Sequence, residues 1–235
     1  MIGMTHLPVV VLAGGLATRL RPITEQMPKI LIDVAGRAFA EHQIALLKKH
    51  GLTEIVLCVG YLGEQVQRAL GDGSRWGVHL NYAFDGTVLL GTGGAIRQAR
   101  PFLGDAFFIV YGDTYLDCDY LAVESAFCAS KRLGLMTVFH NKNQWDRSNI
   151  VFQDGQIIRY DKHQPTPDME YIDYGLGILQ ASALDSYPAG QPFDLAVVYQ
   201  DLIERGQMAG YEVTERFYEI GSLTGLEETR QRLAK

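Results

Sequence analysis

The chain has 235 residues, a length that suits a single α/β domain spanning 1–235. With 47% hydrophobic and 20% charged residues it can bury a large core, and its formal net charge of −6 argues against nucleic acid as a partner, which needs a basic face. No apolar run reaches the roughly 18 residues of a membrane span, and the start lacks a signal-peptide pattern. The chain therefore reads as soluble and cytoplasmic, with no membrane partner. Its three cysteines, Cys58, Cys118 and Cys128, have no paired spacing, and Cys58 in an apolar run reads as a buried thiol.

In chain order, residues 7–12 form a short apolar run opening onto glycines, the mark of a buried strand. Phe39, Ile44 and Leu47 recur at near-helical spacing within 39–49, and Gly51 follows as a C-terminal cap. A strand at 54–59 leads to an amphipathic helix at 63–70. Strands at 78–84, 107–111 and 134–139 then alternate with helices at 94–100 and 122–131. Strands separated by helices are the signature of a parallel, doubly wound sheet. After residue 140 the rhythm changes. Residues 149–153 and 156–161 flank a "DG" hairpin turn, and 171–180 is another strand. A helix at 193–205, a short strand at 211–213 and a closing helix at 223–233 complete the pattern. The second part, about 141–235, reads as an antiparallel addition to the sheet of about 1–140.

The stretch "VVVLAGGLATRLRPITEQMPKIL" carries the first chemistry. In open α/β sheets ligands bind at the carboxyl ends of strands, and the glycines fall at such an end. A glycine pair alone reads as a tight turn. Arg19, Arg21 and Lys29 around it suit a polyphosphate better than a surface. There is no GxxxxGK[ST] and no GxGxxG after the strand, which excludes a P-loop and a dinucleotide fingerprint. The six histidines show no metal-ligand spacing, and there is no GxSxG elbow or Cys–His pair.

"LAGGLATRLRPITEQMPK" resembles the opening signature of the sugar-1-phosphate nucleotidyltransferases, LAGGxGTRLxPxTxxxPK. It departs at Ala17, where a glycine is usual, so a negative φ is expected there. "LGTGGAI", "VYGDTYLD", "YDKHQP" and "FYEIGS" resemble four further segments in the family's order, covering the whole chain. The resemblance implies a three-layer α/β sandwich with a mostly parallel, Rossmann-like sheet and a small antiparallel sugar-binding part. It implies nucleotidyl transfer from an NTP to a sugar 1-phosphate, releasing pyrophosphate, with Mg2+ as cofactor, and it is compatible with a homodimer.

What the resemblance implies for single residues follows. Leu12, Ala13, Gly14, Gly15 and Thr18 would contact the nucleotide, Arg19 would hold the β- and γ-phosphates, and Lys29 would bridge the α-phosphate and the sugar phosphate. Asp113 would bind magnesium with Glu219, which stands where the family commonly has an aspartate; Asp85 and Asp173 are the alternatives. Thr92, also placed to cap the helix after it, and Gly93 would hold the nucleobase beside Asp85. Lys162 would grip the sugar phosphate, Asp161 would replace the family's glutamate at the sugar hydroxyls, and Asn149 and Gly175 would lie against the sugar. Asp117 and Asp119 in "DCD" read instead as a loop and a helix-capping carboxylate. Within the family the chain resembles most closely the D-glycero-α-D-manno-heptose 1-phosphate guanylyltransferases of surface-polysaccharide synthesis. Mannose-1-phosphate guanylyltransferases and uridylyltransferases of hexose or N-acetylmuramate 1-phosphate are the alternatives. A silent sugar-nucleotide-binding subunit would be expected to lack the lysine or the metal carboxylate. An inverting glycosyltransferase would leave the PK signature without a role.

Overall fold

The computed structural model describes residues 6–234. The chain begins with β1 (Val9–Leu12), a small hairpin of β2 (Asp33–Val34) and β3 (Arg37–Ala38), and α1 (Phe39–Lys49). Then come β4 (Glu54–Val59), α2 (Gly63–Leu70), β5 (His79–Phe84), α3 (Gly91–Ala99) and β6 (Ala106–Tyr111). A short β7 (Thr114–Tyr115), α4 (Tyr120–Ser130) and β8 (Gly134–His140) follow, then β9 (Ile150–Gln153), β10 (Gln156–Tyr160) and the long β11 (Tyr171–Gln180). The chain closes with α5 (Leu195–Glu204), β12 (Met208–Val213), β13 (Tyr218–Glu219) and α6 (Leu223–Leu233).

β1 lies between β4 and β6 and parallel to both, so Val9 faces Ile55 on one side and Phe108 on the other. β5 extends the parallel run beyond β4. On the far side of β6 the sheet continues antiparallel through β11, which pairs β8 and β9, and β12 returns parallel to β8. The nine-stranded sheet is buried on both faces, which is why its central strands are continuous apolar runs rather than alternating ones. Val9, Val11, Phe108 and Val110 pack with α1, α2 and α4 on one face. Val10, Phe107 and Ile109 pack with α3 and α5 on the other. The result is the three-layer α/β sandwich.

The local signals that end these elements are physical. Gly51 takes φ +79 after α1, and the bonds from Gly51 N–H to Lys48 O and from Leu52 N–H to Leu47 O close a Schellman turn. Asp119, Asp194 and Ser222 each accept a backbone N–H at the start of α4, α5 and α6. Asp154 and Gly155 both have positive φ, as a two-residue hairpin turn between β9 and β10 requires.

Two elements differ from the sequence expectation. α3 begins at Gly91, not at 94, because the Phe193 carbonyl accepts from the Gly93 and Gly94 N–H groups and steadies a glycine-rich first turn. β12 is twice the expected length, since Gly210 interrupts the apolar pattern yet sits flat against the Phe152 ring. No helix among the described residues is long and apolar enough to cross a membrane. Cys58 and Cys118 are buried free thiols, and Cys128 is an exposed one.

Candidate functional site

After β1 the chain builds β4 and β5 on one side and then places β6 on the other. That reversal opens a crevice at the carboxyl ends of β1 and β6. The glycine loop leaves β1 there, and the segment after β6 is tied to it by a 2.9 Å bond from Gly112 N–H to Leu12 O. Gly112 and Gly14 serve this close approach. A Cβ on Gly112 would sit 2.7 Å from Leu12 O, and one on Gly14 would sit 3.1 Å from Gly60 N. Of the residues expected at the nucleotide, Leu12, Ala13, Gly14, Gly15, Lys29, Asp85, Thr92 and Asp113 line one cleft. Thr18, Arg19 and Gly93 do not line it.

The charges converge at the cleft's mouth. Lys29 Nζ donates to Asp113 Oδ2 at 2.6 Å, both side chains being three-quarters or more buried. Arg19 reaches the same point from the loop: a Cβ on Gly221 would lie 3.2 Å from Arg19 Nη2 and 3.2 Å from Asp113 Oδ2. Glu219 Oε2 would lie 2.8 Å from it. The β7–β13 pairing carries Glu219 to this place, helped by the bond from Ile220 N–H to Asp113 O at 2.8 Å. The Glu219 carboxylate already accepts the N–H groups of Gly221 and Ser222 and the Ser222 hydroxyl. It therefore caps the entry to α6 while facing Asp113.

Two carboxylates beside a polyphosphate site suit a magnesium ion, which is held by one or two protein oxygens together with phosphates and waters. Among the described residues no cluster of three or more His, Cys, Asp or Glu side chains could hold a metal alone. Asp113 fits as a direct ligand. Glu219, with its lone pairs engaged, fits as a ligand through water.

Ala17 corrects the expected loop geometry. Its φ is +48 and ψ is +43, a left-handed conformation, despite its Cβ. The strain is held by bonds from the Thr24 hydroxyl and the Leu20 N–H to the Ala17 carbonyl. A glycine at this position would adopt the same conformation without a Cβ conflict.

On the base side, Asp85 Oδ2 accepts the Leu90 N–H at 3.2 Å, while Oδ1 is buried with no hydrogen-bond partner. Burial pushes this carboxyl up, and the Leu90 bond offsets part of the rise. Thr92 does not cap α3. Its hydroxyl accepts the Leu195 N–H at 2.8 Å and lies 3.2 Å from Asp194 Oδ1, binding α3 to α5. The Gly93 N–H is spent on Phe193, and a Cβ there would strike the Phe193 ring. The glycines of "GTGG" make room for residues 191–194.

On the sugar side, Lys162 Nζ lies 3.4 Å from Asp194 Oδ1 and stands over the rings of Tyr111 and Tyr160. Asp161 has one carboxylate oxygen engaged by its own turn. Its Oδ1 accepts the His163 and Gln164 N–H groups, which also hold its carboxyl below the usual range. Asn149 Oδ1 accepts the Asp173 N–H and so fixes β11 rather than a ligand. Gly175 has φ +93, and its N–H donates to Asp173 Oδ1. Tyr111 and Asp194 stand beside Lys162, and Asp173 meets the Tyr160 hydroxyl, placements that the sequence does not announce. No local pattern in the sequence brings Asp194 to Lys162.

This arrangement of glycine loop, lysine–aspartate pair and second lysine arm defines a nucleotidyl-transfer site on a doubly wound sheet. Residues 8–232 match the family model described as nucleotidyl transferase, and the chain belongs to that family, as an enzyme of its sugar-1-phosphate nucleotidyltransferase class. It is 32% identical over 226 residues to the N-acetylmuramate α-1-phosphate uridylyltransferase of Neisseria meningitidis serogroup B, covering 94% of this chain and 95% of that one. It is 25% identical over 217 residues to the D-glycero-α-D-manno-heptose 1-phosphate guanylyltransferase of Campylobacter jejuni, covering 90% and 93%. Among solved structures, HddC of Yersinia pseudotuberculosis, complexed with GMP-PN, shares the fold at a TM-score of 0.79 and 22% identity, covering 97% of this chain and 100% of that one.

The strained Ala17 yields a direct test. Ala17→Gly removes a left-handed Cβ conflict and should raise stability by about 1 kcal/mol in denaturant unfolding. A fall in the midpoint would show that the loop holds this conformation without strain.

Proposed function

We propose that the protein transfers a guanylyl group from GTP to D-glycero-α-D-manno-heptose 1-phosphate, giving the nucleotide sugar and pyrophosphate for surface-polysaccharide synthesis in the cytoplasm. The observation that carries nucleotidyl transfer is the Lys29–Asp113 pair, set between the glycine loop and the Lys162 arm. A sugar phosphate is already a nucleophile at neutral pH, so the site needs no general base. Its work is to bring two anions together and neutralise the charge at the α-phosphorus.

Arg19, exposed on the loop, takes the β- and γ-phosphates. Lys29 leaves Asp113 for the α-phosphate and the incoming sugar phosphate. Asp113, with Glu219 through water, would hold magnesium, which when bound supplies further positive charge for the phosphates. Lys162 anchors the sugar phosphate. Substrate thus replaces an internal ion pair by two external ones, and no buried charge is left unpaired.

The base preference rests on Asp85. Its unpaired, buried Oδ1 is an acceptor when ionised. Guanine N1–H and uracil N3–H donate to such a group, whereas adenine and cytosine present a ring-nitrogen acceptor at the same edge. Guanine adds an adjacent N2–H donor, which favours GTP. The Campylobacter relative, matched over 93% of its own length, keeps the heptose reading in view. A second reading, uridylyl transfer to N-acetylmuramate 1-phosphate, is favoured by the 32% identity to the Neisseria enzyme.

Pyrophosphate release over a grid of four nucleotides and several sugar 1-phosphates tests this. GTP with the heptose 1-phosphate should give the highest kcat/KM, and ATP and CTP should be poor. Preference for UTP with N-acetylmuramate 1-phosphate would establish the second reading, and no release from any pair would refute both. Lys29→Ala and Arg19→Ala should each lower turnover by about 100-fold or more, since each removes charge stabilisation in a partly desolvated site. Near-normal kinetics in a folded Lys29 variant would sink the mechanism. Asp113→Asn should abolish turnover at any magnesium concentration. Glu219→Gln should recover part of its loss in excess magnesium or manganese, and a silent Glu219→Gln would place the second carboxylate elsewhere.

A further inference from the structure

Lys162 is surrounded in an unusual way. Its ammonium stands between two acidic residues of separate elements, Asp173 on β11 and Asp194 at the start of α5, and above two tyrosine rings. Neither acid is an idle surface group. Asp173 is partly buried, with Oδ1 accepting Gly175 N–H at 3.0 Å and Oδ2 accepting the Tyr160 hydroxyl at 3.4 Å. Burial pushes its carboxyl up, while Lys162 and those two donors pull it down. Asp194 is also raised by burial, but the Ala196 N–H, the Lys162 charge and the Thr92 hydroxyl outweigh this and hold it below the usual range. Beside them the Tyr111 hydroxyl is buried with no hydrogen-bond partner, next to Asp173 and Asp194. Tyr111 also lines the cleft that holds Lys29 and Asp113. One unpaired hydroxyl and two carboxylates therefore flank the lysine.

We infer that Asp173, with Asp194 and the Tyr111 hydroxyl, forms the wall that recognises the sugar ring, and that this wall selects a neutral polyhydroxylated sugar over an acidic one. The inference rests on Lys162 as the phosphate anchor. Asp161 has one carboxylate oxygen engaged by its own turn. Carboxylates accept hydrogen bonds from sugar hydroxyls, and Tyr111 can donate one back. A sugar bearing its own carboxylate would meet like charge here, and like-charge juxtaposition is a strong means of rejecting wrong partners. The lactyl carboxylate of N-acetylmuramate is such a group, so this wall weighs toward the heptose reading.

The test compares glucose 1-phosphate with glucuronic acid 1-phosphate, which differ only in a C6 hydroxymethyl against a carboxylate. Their dissociation constants, and that of inorganic phosphate, are measured calorimetrically on wild type, Lys162→Ala, Asp173→Asn and Asp194→Asn. Wild type should bind the neutral sugar at least about tenfold more tightly than the acidic one. Asp173→Asn should weaken the neutral sugar and narrow that gap to about threefold or less. Should Asp173→Asn fail to fold, Asp194→Asn, which keeps a helix-capping side chain, should narrow the same gap. Equal binding of the two sugars by wild type, or an unchanged gap in both folded variants, overturns the inference alone. Phosphate binding that Lys162→Ala does not weaken overturns the anchor reading and the inference with it.

Discussion

Lys29 and Asp113 hold each other at 2.6 Å where β1 and β6 end, and the rest of the site depends on that contact. A cation and an anion left unpaired in a half-buried cleft would each carry a desolvation cost, so the empty site is stable only while they meet. The same pair is poised for exchange. A triphosphate offers Lys29 a better partner, and Asp113 is then free for a cation. The sheet makes this possible by placing β1 between two parallel neighbours, so that two loops of different sequence origin end side by side.

The second lysine is built by different means. Lys162 follows β10, outside the parallel core, and is brought to the cleft by the antiparallel β11 and by α5. Asp194 caps α5, pairs with Lys162 and meets Thr92 of α3 through one carboxylate oxygen. One side chain therefore links α3 and α5 to the Lys162 arm. The glycines of α3 are required because residues 191–194 lie directly on that helix.

The parallel core was legible in the sequence because its signals are local. Apolar runs, caps at Gly51 and Asp119, and the "DG" turn each act within a few residues, and Lys29, Asp113 and Lys162 fall where their segments implied. What was not legible depends on contacts between distant segments. The start of α3 was missed because Phe193, a hundred residues on, completes its first turn. Ala17 was expected at negative φ, since nothing nearby in sequence reveals that Thr24 and Leu20 hold its carbonyl. The resemblance offers Asp161 as an acceptor, and what it does not reveal is that Oδ1 is engaged by the turn that follows.

A structure of the protein with magnesium and a non-hydrolysable nucleoside triphosphate is the most direct test of the exchange at the centre of this account. Lys29 Nζ should then have left Asp113 for the α-phosphate, with the two side chains separated by more than about 3.5 Å, beyond hydrogen-bond reach. A bound triphosphate with the Lys29–Asp113 bond intact would contradict it.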